Sequence, residues 1–472
     1  MIRVVLLFLQ LFFVAPAIHA GINVLVIGST SHFDQKESGK EEGRLDPSEM
    51  AKSLESILNQ GRNQEGGPEV VFEEVYRTHS TPVALGSAGT ETATEFHCHS
   101  LAQYYFWPEG RENRLKMLNG SGQRQWDYVV LVGDPYLMGQ MPGIYVEGVD
   151  LLVGQIRKNE AKIVLLAPWT SDEEETKRIR EVSFRVGKLY DLPVAPAGEA
   201  KFAAGGMAER DASYLAAACV FSTLSGREAW GSGGLAKKAL DAVARNQSIP
   251  DFQDAFDFPN PFRMDSLEKE VITFNQTGTS SEAGIRGGLH GAAKRCGLQL
   301  KELRNAEAKI DFNYGRGNSN FEPGKRYKVE PDRFHRSYGF PMQEQKRTAP
   351  VSMLYGIDKR YFNSRSYDDG TDLGIAYDMI RDQEVDHNVC AVPLRLLWAR
   401  LHEVDPTQTP LRDNWHMNRV LDAAAGSFMI TLLTGRNPTG EEPPDIKSDD
   451  WKLWQGRKIG YETAMRMALR KG

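Results

Sequence analysis

The sequence predicts an α/β protein built as two tandem units, each with a mainly parallel sheet covered by helices on both faces. Three observations carry that expectation. The length of 472 residues leaves room for two or three domains with cores of their own. Short apolar runs alternate with longer helical patterns, the order that produces parallel sheets. One segment also occurs twice: Tyr214 to Arg227 reads YLAAACVFSTLSGR, and Asp422 to Arg436 reads DAAAGSFMITLLTGR.

The elements follow in order. Arg3, the apolar run Val4 to Val14 and the small residues before Ala20 describe a secretory signal peptide, residues 1–20, cut near Ala20. The first unit is expected over residues 21–250. It opens with the strand Val24 to Ile27, then Gly28-Ser29-Thr30, and a helix announced by Asp46-Pro47-Ser48-Glu49. Asp127 to Gly133 reads as a buried strand ending in glycine, and Leu235 to Asn246 as the closing helix. The second unit is expected over residues 251–472. Its first strand, Val271 to Phe274, is followed by Asn275-Gln276-Thr277 and by the capping box Thr279-Ser280-Ser281-Glu282. That helix should run to about Cys296 and stop at Gly297.

Further matches extend the repeat. Val351 to Gly356 pairs with Asp127 to Gly133, and Asp369-Gly370-Thr371-Asp372-Leu373 pairs with Glu147-Gly148-Val149-Asp150-Leu151. The closing helix of the second unit is expected over Trp454 to Leu469. Between Lys301 and Pro350 lies a polar-aromatic stretch, including FNYGRGNSNFEPGKRY from Phe312 to Tyr327. It reads either as a loop over the strand ends, where α/β proteins bind ligands, or as a solvated insertion.

Composition narrows the partners. A net charge of −6 without any basic run argues against nucleic acid. No apolar run after the signal peptide is long enough to span a membrane. Cys219, Cys296 and Cys390 lie in regular-structure patterns and read as buried free thiols. His97-Cys98-His99 is a poor metal site, because neighbours on a strand point to opposite faces. No cofactor and no metal are expected.

The two copies diverge where chemistry would sit. Aligning Arg227 with Arg436 sets an offset of 209, which pairs Met207 with His416 and Ala204 with Asp413. An acid three residues ahead of a histidine can orient and charge-balance an imidazole, whereas alanine and methionine cannot. Any reactive centre therefore belongs to the second unit.

A hydroxyl-rich turn after the first strand, glycine-ended strands and a late Asp413-x-x-His416 resemble the SGNH (GDSL-type) hydrolases, over most of each unit. The resemblance implies a three-layer α/β/α, flavodoxin-like fold and cleavage of ester bonds. It casts His416 as the base, Asp413 as its orienting acid, and a hydroxyl after the first strand as nucleophile. The family's serine stands opposite Thr30 in one unit and Thr277 in the other, with Ser280 slightly downstream. The family's Gly-x-Asn is also missing, since Gly356-Ile357-Asp358 carries a carboxylate; Gly315, Asn318 and Gly356 are the candidate oxyanion donors.

The resulting expectation is a secreted esterase or deacetylase acting on a small-molecule or carbohydrate ester, with a catalytically empty first unit. The alternative is a pseudo-hydrolase that binds a glycan or peptide, or serves as a scaffold. In that case Asp413 caps the following helix, His416 is a half-buried surface residue, and Thr277 and Ser280 are turn or cap residues.

Overall fold

A computed structural model describes residues 21–29, 45, 47–65, 69–71, 75–78, 101–106, 118, 126–140, 142–231, 233–246, 269–277, 282–303, 311–316, 352–355, 389–409, 412 and 416–467. The signal-peptide expectation, the unit boundary at residue 250 and the His97-Cys98-His99 run fall outside them.

The first half holds β1 (Gly21–Ser29), α1 (Pro47–Glu65), β2 (Glu69–Val71), β3 (Val75–Thr78), α2 (Leu101–Phe106), β4 (Tyr128–Val132), α3 (Pro135–Gln140) and α4 (Pro142–Ile156). It continues with β5 (Lys162–Leu166), α5 (Glu173–Tyr190), β6 (Val194–Ala195), α6 (Ala197–Ala204), α7 (Glu209–Ser225) and α8 (Gly233–Arg245). The second half holds β7 (Val271–Thr277), α9 (Glu282–Arg295), β8 (Gln299–Glu302), β9 (Phe312–Arg316), β10 (Ser352–Tyr355) and β11 (Val389–Val392). Helices α10 (Leu394–Val404), α11 (Arg419–Thr434) and α12 (Asp449–Met467) follow.

Among the described residues every strand pairing is parallel. The first sheet runs β2-β1-β4-β5-β6, with β3 pairing further along β1, so β2 and β3 share one position. The second runs β8-β7-β9-β10-β11. Both sheets thus have the second strand at one edge, then the first, third, fourth and fifth.

Alternation along the strands sorts the first sheet's core to two faces. Leu25, Ile27, Val129, Leu131, Ile163 and Leu165 pack with α2, α4 and α5. Val24, Val26, Val130, Val132, Val164 and Leu166 pack with α1, α7 and α8. In the second half, Ile272, Phe274, Phe312 and Val392 join α9, α10, α11 and α12.

The repeated segment forms one element twice. Helices α7 and α11 both end on a left-handed glycine, Gly226 at φ 69° and Gly435 at φ 68°, each donating its N–H to a carbonyl four residues back. Helix α9 stops where expected, with Gly297 at φ 70°.

Three expectations need correction. Phe312 to Arg316 is a central strand, not the start of a loop. It pairs with β7 on one side and β10 on the other, and Phe312 stands opposite Phe274 with the two rings stacked at 5.7 Å in the core. The rest of that stretch to Tyr327 lies outside the described residues. Consequently β4 corresponds to β9, and the run beginning at Val351 (β10) corresponds to β5, one strand later than the sequence match placed it. Finally, β7 continues through Thr277, so Asn275-Gln276-Thr277 belongs to the strand and not to a turn. Of the thiols, Cys219 is free and buried, while Cys296 is free and half-buried. Among the described residues no helix is long and apolar enough to cross a membrane.

Candidate functional site

Thr277 is the last residue of β7, and its register partner on β9 is Gly315. The Thr277 and Gly315 positions therefore share a level at the C-terminal ends of adjacent strands, where parallel sheets present their ligands. The next strand ends level with them, Tyr355 pairing with Arg316. Gly356 follows Tyr355 in sequence, but Gly356, Asn318, Ser280 and Asp413 lie outside the described residues.

His416 is half-buried, just before α11. Its carbonyl accepts the N–H of Arg412 at 2.9 Å. The cap of α11 is Asn418, whose side chain accepts the Leu421 N–H at 2.8 Å. Asp413 is thus not needed as a cap.

Glycines bring α11 against α9. A Cβ on Gly284 would lie 2.6 Å from Asp422 Oδ1, and Gly288 and Gly426 meet backbone to backbone. Helix α9 begins five residues after Thr277, and Asp422 lies six residues after His416. The contact between Gly284 and Asp422 sets the start of α11 beside the start of α9.

Asp422 is the residue that sequence reasoning missed. It is 8% exposed, and Oδ1 has no hydrogen-bond partner among the described residues. Burial pushes its carboxyl up to about 7, with the Arg412 guanidinium pulling the other way. The signal was present in the sequence: a lone carboxylate in RVLDAAAGSFMITLLT, a helix with no other charge after its first residue. Its counterpart at the 209 offset is Ser213, also buried, whose hydroxyl has no hydrogen-bond partner among the described residues.

In the first half, the residue after β4 is closely packed. A Cβ on Gly133, which follows β4, would meet Met138 Sδ and Tyr145 Cδ2, both at 2.6 Å. Met207, opposite His416 in the repeat, packs against the first-half core. Among the described residues no group of three or more His, Cys, Asp or Glu side chains could hold a metal ion.

No family model and no curated protein matches the chain. Among solved structures it is similar to a candidate SGNH hydrolase from Slackia heliotrinireducens, at 16% identity over 43% of this chain and 99% of that one, with a TM-score of 0.29. It is also similar to a DUF4886 family protein from Bacteroides uniformis, at 14% identity over 48% and 94%, with a TM-score of 0.29. A third similarity is to TesA, at 16% identity over 43% and 98%, with a TM-score of 0.26. Likeness of this size does not place the chain in a family or assign it an activity.

Proposed function

We propose that the chain is a secreted, tandem SGNH-like hydrolase whose second half cleaves an extracellular ester, such as an acetylated carbohydrate, and whose first half is catalytically empty. One observation carries this reading: Thr277 and Gly315 share a level at the C-terminal ends of β7 and β9, while Met207, the repeat counterpart of His416, packs against the first-half core. In the reaction His416, oriented by Asp413, takes the proton of the Thr277 or Ser280 hydroxyl as that oxygen attacks the ester carbonyl. Donors at Gly315, Asn318 and Gly356 hold the oxyanion. His416 then returns the proton to the leaving alcohol, and water releases the acyl group by the same route.

Labelling with a fluorophosphonate ester, followed by peptide mass spectrometry, tests the reading and identifies the nucleophile. Modification of Thr277 or Ser280, abolished by alanine at that position, is expected. Absence of any adduct in residues 271–282 of folded protein would remove the hydrolase claim.

A second reading is a binding or scaffold protein that holds a glycan or peptide at the same strand ends without cleaving it. One observation favours it: Thr277 sits in the ladder of β7, where a β-branched residue is an ordinary strand choice.

A further inference from the structure

The first half buries an acidic face that the second half answers with arginines. On α4, Glu147 is 0% exposed, and it accepts hydrogen bonds from Arg400 of α10 and Arg466 of α12. Asp150, one turn further on, accepts from Arg400 Nη2 at 2.8 Å and from the Tyr190 hydroxyl at 3.0 Å. Burial raises the Asp150 carboxyl, but Arg466, Arg400 and the two hydrogen bonds outweigh it and leave it below the usual range. Two carboxylates thus face two guanidiniums, so no charge is left uncompensated.

Apolar contacts surround these pairs. Leu396 and Ala399 of α10 belong to the same core cluster as Leu101, Val149 and Val153 of the first half. The start of α4 touches the end of α12, since a Cβ on Gly143 would lie 2.6 Å from the Met467 carbonyl oxygen. Tyr105 of α2 donates to Glu403 of α10 at 2.8 Å. Helix α12 in turn presses on α11, with Gly456 against the Val420 carbonyl and Gly460 against that of Ala424.

We infer that the first half serves as the fixed intramolecular partner of the second, with the acidic, apolar face of α2 and α4 clamping α10 and α12 into one body. Helix α11, which follows His416, is braced through α12. This role is independent of the hydrolase reading, because it concerns what holds the halves together and not what the cleft does.

The test uses the full chain with a protease site inserted between Pro250 and Asp251. After cleavage, the two pieces should elute together as one species at micromolar concentration and stay together in high salt, because buried pairs are little screened. Elution of the cut, otherwise unaltered chain as two species overturns the inference. Glu147→Arg sets three cations against one another and should release the pieces once cut; pieces that remain as tightly joined as before also overturn it. Should Glu147→Arg not fold, Asp150→Asn serves instead, removing one charge with little change of shape. Exchange of its cut pieces with labelled copies should quicken by about tenfold or more. An unchanged exchange rate contradicts the inference.

Discussion

Gly426 on α11 and Gly288 on α9 meet with no side chain between them: a Cβ on Gly426 would fall onto the carbonyl carbon of Gly288. The contact lies midway along both helices and sets how closely they approach.

Gly426→Ala should therefore destabilise the protein by roughly 1–3 kcal/mol, the usual range for overpacking a tight contact. Gly287→Ala on the same α9 has open space around its Cβ and should stabilise by up to about 1 kcal/mol through helix propensity. Denaturant unfolding of both variants checks the pair. Equal effects would mean that the helices are not in backbone contact.

Asp422 predicts a pH dependence. Its carboxyl is raised in the folded protein relative to the unfolded chain, so folding takes up a proton between about pH 4 and pH 7. Stability is favoured below that window and falls as pH rises through it. Above pH 7 the ionised carboxylate opposes folding by something on the order of 2–4 kcal/mol. Asp422→Asn should flatten this part of the stability profile and be more stable than the parent protein at pH 8. Parallel profiles for the two proteins would refute the assignment.

Asn418 and Asp413 should separate cleanly. Asn418→Ala removes the side-chain cap of α11 and should lower stability by about 1 kcal/mol. Asp413→Asn should leave stability nearly unchanged while lowering ester hydrolysis. A reversal of that pattern in thermal melts and rate assays would return Asp413 to a structural role.

Asn246 begins an Asn-Gln-Ser sequon, yet its amide nitrogen donates to Glu199 and to the Ala242 carbonyl, both at 2.7 Å, while its oxygen accepts from Arg180. It is expected to stay unmodified when the protein is made in a glycosylating host, and Asn246→Ala should destabilise by about 1–3 kcal/mol. A glycan found at Asn246 by mass spectrometry would show that this network opens.

Periodicity and caps made much of the fold legible. The repeated helix, the stop at Gly297 and the buried runs of β1 and β4 all carry local signals, and the structure bears them out. Strand β9 does not, because Asn313, Gly315 and Arg316 read as loop, and its pairing with β7 and β10 and the stacking of Phe312 on Phe274 are long-range. The same limit hid the pairing of Glu147 with Arg400, 253 residues apart, since no local pattern encodes a distant partner. At the candidate site, the Asp-x-x-His spacing was readable beside its silent copy. Asp422 was overlooked because a single acid in an apolar helix carries no motif.

The most direct measurement compares hydrolysis of a short-chain aryl ester by the unaltered protein, by His416→Ala and by Met207→Ala. The account predicts a loss of about a thousandfold or more for His416→Ala, the scale seen when a catalytic base is removed, and full activity for Met207→Ala. Equal rates for all three proteins would contradict it.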